Sequence, residues 1–369
     1  MEENNAENNK AGGKIFADSG QLWAAGARCA ILSDAGEERM RMEVCMQLEV
    51  EKLEQRAAAF VLPEIPENMA HGDMPGDQVQ INEDHIRKAS VIFPKLLPMV
   101  LSLLGEREEQ KVVLSVCGGS GVGKSEIASL LSYYLKEFGI GSYTLSGDNY
   151  PRRIPVYNDA ERLRVFRTGA VKGMVKDGTF SQERFAVIRK FQIEGSDADA
   201  AHCAEYPWYG SYLAGGRAAL DAYLGSDAEI DFQELEEIVA AFKGGQEEIW
   251  LKRMGRSEDA LWYEKVDFRE VHVLVIEWTH GNSDCYQGVD IPVLLNSTPE
   301  ETLAHRAARG RDGGTDSPFT MTVLELEQEK LKKQARKAKL IVSKQGELLS
   351  YEEFCKRMEV TEGGESIER

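Results

Sequence analysis

The sequence lacks any stretch that approaches the roughly 18 consecutive apolar residues of a membrane span. Its opening, MEENNAENNKAGG, lacks the apolar core of a signal peptide. It has no C-x-x-C pair. The six cysteines, at positions 29, 45, 117, 203, 285 and 355, are scattered. That scatter argues for reduced thiols in a cytoplasmic protein rather than for a disulfide framework. Positive charge is in short supply: 44 Lys and Arg stand against 62 Asp and Glu, a formal net charge of −18. A surface that acidic repels nucleic-acid phosphates and anionic lipid, so neither nucleic acid nor a membrane is an expected partner. An anionic ligand would need a locally basic pocket.

What is present is an ordinary globular composition, 42% hydrophobic over 369 residues, enough for one large or two modest domains. The most informative stretch is Val112 to Ser125, VVLSVCGGSGVGKS. An apolar run from Val112 to Val116 reads as a buried strand. It turns into Gly118, Gly119, Ser120, Gly121, Val122, Gly123, Lys124 and Ser125, which fits G-x-x-x-x-G-K-[ST]. In such a phosphate-binding loop the glycines let successive backbone N–H groups converge on phosphate oxygens. Lys124 reaches the β- and γ-phosphates and the Ser125 hydroxyl ligates Mg²⁺. A helix should follow from Glu126, its positive end toward the phosphates, and Gly139 supplies its stop. Cys117, at the strand end, reads as a small core residue.

Elsewhere the chain divides by pattern. Residues 1 to about 13 read as disordered. Met40, Met42, Val44, Met46, Leu48 and Val50 alternate as in a strand, although their neighbours favour helix. Pro63 to Gly76 is a loop, and Ile86 to Leu104 an apolar-faced helix with a kink expected near Pro94 and Pro98. Strands are expected at Ser142–Ser146, Val271–Ile276, Ile291–Leu295 and Leu340–Val342. Residues 160 to 250 are mostly helical in pattern, broken by turns at Gly195-Ser196-Asp197 and at Gly215-Gly216. An amphipathic helix runs from Asp231 to Lys243. A basic helix holds Arg306, Arg309 and Arg311, and a charged helix spans about Val323 to Ala338. Strands alternating with helices predict a parallel α/β sheet with helices on both faces.

Four segments resemble the uridine kinase and phosphoribulokinase family of P-loop kinases, over about residues 110 to 350. They are GGSGVGKS at Gly118–Ser125, the strand end LSGDNY, the acidic-aromatic Glu229-Ile230-Asp231-Phe232, and the arginine-rich Arg306-Ala307-Ala308-Arg309-Gly310-Arg311-Asp312. The resemblance implies a P-loop NTPase-type sheet with a helical insertion at about 160–250. It divides the chain into an N-terminal extension (1–105), a kinase domain (106–350) and a C-terminal tail (351–369). It implies ATP and Mg²⁺ as cofactors, a small-molecule acceptor, and an arginine lid of Arg306, Arg309 and Arg311 over ATP. Asp148 takes the position of the acid that receives the acceptor-hydroxyl proton. The sequence departs from the family at Glu126, where a Thr or Ser is usual. It also lacks the family's Tyr-Asp and His-x-Arg segment between Ile249 and Phe268, so the phosphoryl-transfer parts are matched more fully than the substrate pocket.

The expected chemistry is an ATP-dependent transfer of the γ-phosphoryl group to a hydroxyl of a nucleoside- or sugar-like metabolite. Asp148 and Lys124 are the candidate catalytic residues, and Ser125 and Glu277 the candidate metal ligands. Tyr150, Arg152, Arg153 and His280 are candidate substrate contacts. The arginine pair after Asp148 suggests that the acceptor carries negative charge, since a guanidinium fork suits phosphate or carboxylate. An adenylylsulfate kinase and a nucleotide-driven regulatory protein are the competing readings. The sequence leaves the oligomeric state open.

Overall fold

The computed structural model describes residues 47–66, 69–76, 79–309 and 317–359. The disorder expected for residues 1 to 13 and the alternation from Met40 to Met46 fall outside them. Chain description begins with a short helix, α1 (Val50–Ala57), and a long one, α2 (Glu83–Glu106). Asn82 starts α2 with a reciprocal cap: its side chain accepts from His85 N at 3.1 Å, and His85 Nδ1 accepts from Asn82 N at 3.3 Å. Such a box satisfies two donors that a helix start otherwise leaves open. The helix runs through Pro94 and Pro98 unbroken. At 24 residues, with an 18-residue window of mean hydropathy 1.4, it is by length and composition alone long and apolar enough to cross a membrane. That corrects the expectation that no stretch approaches this length. Here Ala89, Ile92, Phe93, Leu96 and Val100 on its inner face are buried in the main core.

Central strand β1 (Val112–Gly118) is buried along its whole length and continues through the loop into α3 (Lys124–Phe138). Then come β2 (Ser142–Ser146), the helices α4 (Pro155–Lys176), α5 (Gln182–Glu194), α6 (Tyr209–Tyr223) and α7 (Phe232–Lys243), and the hairpin β3 (Glu248–Met254) and β4 (Leu261–Asp267). The sheet resumes with β5 (Val273–Glu277) and β6 (Ile291–Leu295). It is followed by α8 (Pro299–Arg309), α9 (Pro318–Gln334), β7 (Leu340–Val342), β8 (Leu348–Leu349) and α10 (Tyr351–Met358). The sheet order is β2-β5-β1-β6-β7-β8, parallel throughout except for β8. Because strand side chains alternate, Val112, Leu114 and Val116 meet α2 and α3, while Val113 meets α7 and the hairpin on the opposite face.

Three local readings change. Gly215 and Gly216 do not break the insertion; they lie inside α6. A Cβ on Gly215 would stand 2.7 Å from Gly169 O and 2.8 Å from Gly173 Cα of α4. These glycines let two helix backbones touch, which is the other use of a residue without a side chain. The β3–β4 hairpin had no clear pattern, because β4 is exposed along nearly its whole length and carries Trp262 and Tyr263 outward. Residues 351–358, grouped with a tail by sequence, form α10, which opens with a Ser350–Glu353 capping box and buries Phe354 and Met358.

Candidate phosphoryl-transfer site

The loop between β1 and α3 is shaped by glycine. Gly123 has φ 97°, and a Cβ there would sit 2.9 Å from the His85 ring. Gly121 has φ 75°, and its Cβ would meet Arg306 Cγ at 2.9 Å. Both positions need a left-handed backbone and room for a neighbour, so side-chain-bearing residues are excluded twice over. Lys124 opens α3, and its Nζ donates to Gly119 O at 3.1 Å, folded back over its own loop. The Ser125 hydroxyl donates to Glu277 Oε2 at 3.2 Å.

Glu277 ends β5, the strand between β1 and β2, and is buried. Ser146 Oγ donates to its other oxygen at 2.8 Å. Burial, and next the nearby charge of Asp148, push the Glu277 carboxyl up to about 8. Asp148 lies in a single helical turn, Gly147–Asn149, at the carboxyl end of β2, where ligands of parallel sheets bind. Its N–H is held by Ser146 Oγ at 2.9 Å and its side chain is exposed. Gly147 is packed on the Trp278 ring, which a Cβ would strike at 2.1 Å.

Sequence reasoning missed what fixes this turn. Asp73 Oδ1, from the loop before α2, accepts from Ser146 N at 2.7 Å and from Asn149 Nδ2 at 3.1 Å. Arg253 Nη1 of the hairpin donates to Asp73 Oδ2 at 2.9 Å, and Tyr143 Oη to the same atom at 3.0 Å. Asn149 Oδ1 accepts from Met254 N at 2.9 Å. Burial raises the Asp73 carboxyl, while Arg253 pulls against that rise. The residues on both sides of Asp148 are therefore clamped by two distant segments. Asp73 sits in a Pro/Gly-rich loop with no motif around it, so only contact reveals it.

The remaining candidates are placed as follows. Ser120 is partly exposed and Val122 buried within the loop. Tyr150 is wholly buried, its hydroxyl without a hydrogen-bond partner, and burial raises its pKa. Arg152 donates through Nε to Asp227 O at 2.6 Å and through Nη1 to Asp231 Oδ2 at 2.9 Å. Arg153 Nη1 donates to Tyr223 Oη at 3.1 Å and to Ala228 O at 3.2 Å. Both guanidinium groups are turned into the segment that leads to α7. His280 follows β5 with its ring 5.0 Å edge-on from Trp278, and burial lowers it to about 4, so it is neutral. Arg306 Nη1 donates to Pro299 O at 2.7 Å while Nη2 is buried without a partner. The Arg309 side chain and Arg311 fall outside the described residues.

A second polar cluster gathers around Glu229. Arg162 Nε of α4 donates to Glu229 Oε1 at 2.6 Å, and Asn158 Nδ2 to the same oxygen at 3.1 Å. Gly225 N donates to Glu229 Oε2 at 2.6 Å. Arg162 Nη2 lies 3.6 Å from Glu327 Oε1 of α9. Glu229 belonged to a quoted segment, but Arg162 and Glu327 stand on helices whose polar residues are indistinguishable by spacing from solvated ones.

A phosphate-binding loop on the central strand of this parallel sheet, with an acid at the end of β2 and another at the end of β5, settles the architecture. The fold is a mostly parallel α/β sheet with the phosphate-binding loop on a central strand. No family model matches the chain. Over 238 residues, 64% of this chain, it is 39% identical to the bifunctional alpha-galactosidase/sucrose kinase AgaSK of Mediterraneibacter gnavus. The matched stretch is 20% of that protein's length, so the chain corresponds to about one fifth of the curated relative. Among solved structures, a protein assigned as a fructose transport system kinase from a Silicibacter species is 17% identical with a TM-score of 0.37, covering 64% of this chain and 93% of that one. A protein assigned as a uridine kinase from Bacillus stearothermophilus is 16% identical with a TM-score of 0.33, covering 67% and 98%. The D-glycerate 3-kinase of Cryptococcus neoformans var. grubii is 12% identical with a TM-score of 0.37, covering 70% and 98%.

Proposed function

We propose that the chain is an ATP-dependent kinase that transfers the γ-phosphoryl group to a hydroxyl of a sugar-like small metabolite. The observation that carries this reading is the convergence of Ser125, Glu277 and Asp148 beside Lys124. The loop amides and Lys124 hold the phosphates, and Lys124 leaves Gly119 O to follow the γ-phosphate. Arg306, with one buried and unpaired nitrogen against Gly121, adds charge to the same phosphates. The Ser125 hydroxyl and the Glu277 carboxylate are hard oxygen donors on one spot, a set that suits Mg²⁺. When bound there the ion would neutralise phosphate charge. Asp148 accepts the acceptor's hydroxyl proton as its oxygen bonds to phosphorus and ADP departs. The sugar kinase activity in the relative's name supports a carbohydrate acceptor. The free state of the four described cysteines fits the reducing compartment their spacing suggests.

The test is ADP release from ATP and Mg²⁺ by the purified chain across a panel of sugars, glycerate, nucleosides and adenylylsulfate. Acceptor-dependent turnover is expected, lost by orders of magnitude in Lys124→Ala. Nucleotide binding with no acceptor-stimulated turnover, or full turnover in a folded Lys124→Ala protein, would overturn the reading.

A further inference from the structure

We propose that the cluster of Arg162, Glu229, Glu327, His280 and Asn158 is the floor of the acceptor pocket, and that it takes an uncharged polyhydroxylated compound. This rests on the kinase reading and names the acceptor class for the same site.

The cluster stands next to the chemistry. Glu327 lies on α9, whose Gln328 Oε1 is 3.7 Å from where a Cβ of Gly119 would be, so the helix rests on the phosphate loop. The charges of Lys124 and Asp148 both act on Glu327, and that of Lys124 also acts on His280. The cluster thus faces the loop through α9 and the segment after β5.

Several of its polar groups have capacity to spare. Glu229 is saturated by three donors: Arg162, Asn158 and Gly225 N. Glu327 is not. It is only 8% exposed, its nearest cation atom among the described residues is 3.6 Å away, and burial keeps its carboxyl raised. Asn158 is 6% exposed, and its Oδ1 has no partner. A neutral imidazole both donates and accepts, and His280 is held neutral. Buried polar groups are normally paired, so the unpartnered amide oxygen of Asn158, with the Glu327 carboxylate and the neutral His280 ring beside it, suits a ligand rich in hydroxyls, each able to donate and accept.

Charge then decides the class. Arg162 is already committed to Glu229, and beyond it stand Glu327 and Asp148. Arg152 and Arg153, the arginines that suggested an anionic acceptor, make their hydrogen bonds to Asp227, Asp231, Tyr223 and Ala228, in and just before the segment that leads to α7. A carboxylate or phosphate on the acceptor would be brought against the carboxylates of Glu327 and Asp148, whereas hydroxyl groups suffer no such repulsion.

The experiment measures acceptor binding by calorimetry without nucleotide, and turnover with ATP, for sucrose, glucose, glycerate and fructose 6-phosphate. The intact protein is compared with Glu327→Gln and His280→Asn. The neutral sugars are expected to bind and turn over, and the two anions not. Glu327→Gln should raise the KM for the sugar about tenfold, the scale of one hydrogen bond to a charged group, with the KM for ATP unchanged. Its Tm should hold or rise, because a buried carboxylate facing Glu229 has been neutralised. His280→Asn should likewise raise only the sugar KM. A lower Tm with an unaltered sugar KM would assign Glu327 to structure alone and overturn the pocket. Turnover of glycerate or fructose 6-phosphate in preference to the neutral sugars would overturn the pocket and leave the kinase intact. Sugar binding without turnover of any acceptor would overturn the kinase reading and keep the pocket.

Discussion

At the scale of single residues, the site separates groups that meet the reacting atoms from groups that hold them. Asp148 is exposed, and Asp148→Asn keeps its shape and removes the base. Turnover is expected to fall roughly 10²–10⁴-fold with nucleotide affinity kept. Surviving turnover, or ATP affinity lost in step with it, would remove Asp148 from that role. Asp73 works differently. Its side chain is 8% exposed and that of Arg253 5%, so Asp73→Ala leaves the buried guanidinium with Glu264 Oε2, at 3.1 Å, as its one carboxylate among the described residues and frees the turn that carries Asp148. Loss of one partner from a buried pair costs roughly 3–5 kcal/mol. Urea unfolding should show a drop of up to that order, and an unchanged midpoint would mean that Glu264 alone suffices to hold Arg253. The loop glycines, Lys124 and Ser125 were legible because phosphate recognition by backbone amides leaves little freedom in the sequence. Asp73, Arg162 and Glu327 were not, since each acts through a partner 70 or more positions away.

Among the elements, the strands were the most readable. In a parallel sheet covered on both faces strands are buried and read as short β-prone runs, and Ser142–Ser146, Ile291–Leu295 and Leu340–Val342 appear where the runs are. The hairpin was hidden because an exposed edge strand has no buried face to impose alternation. The glycines of the insertion misled for a physical reason: the same residue that ends helices also lets helices touch. Gly215→Ala tests the distinction. Its methyl group would meet Gly169 O and Gly173 Cα at under 3 Å, so overpacking should cost about 1–3 kcal/mol. Gly178→Ala is not an equivalent control, since Gly178 has φ 66° and nothing within 4 Å; its cost would come from backbone strain instead. A Gly215→Ala protein as stable as the parent would show that α4 and α6 can move apart freely.

For the whole molecule, two buried groups set opposing slopes of stability against pH. His280 titrates near 6.5 ordinarily and at about 4 in the fold. The unfolded chain therefore takes up the proton first, and stability is lost as pH falls from 6.5 toward 4. Glu277 titrates near 4.5 ordinarily and at about 8 in the fold. Its contribution is fully present below 4.5 and is lost as pH rises through about 8. Thermal scans from pH 4 to 9 without divalent cations should show both limbs, with Glu277→Gln flattening the alkaline one and His280→Gln the acidic one. Added Mg²⁺ and ATP should lift the alkaline limb, because a cation beside Glu277 favours its ionised form. A Glu277→Gln curve parallel to that of the parent would count against this assignment.

The order of the sheet also has a consequence in time. β1 lies at the centre, yet both strands that flank it are made late. Val112 pairs with Val273, about 160 residues further on, and Leu114 pairs with Ile291. A nascent chain that has reached the end of the hairpin already contains the whole phosphate-binding motif, but β1 has no neighbour on either edge. Contacts that span so much sequence close slowly, because the intervening chain must be drawn together before any pairing offsets the lost freedom. The helices α4 to α6, whose contacts are local, can form during that wait. The binding loop therefore takes its shape only after the insertion has been synthesised, and a ribosome stalled before Val273 would display GGSGVGKS without a site.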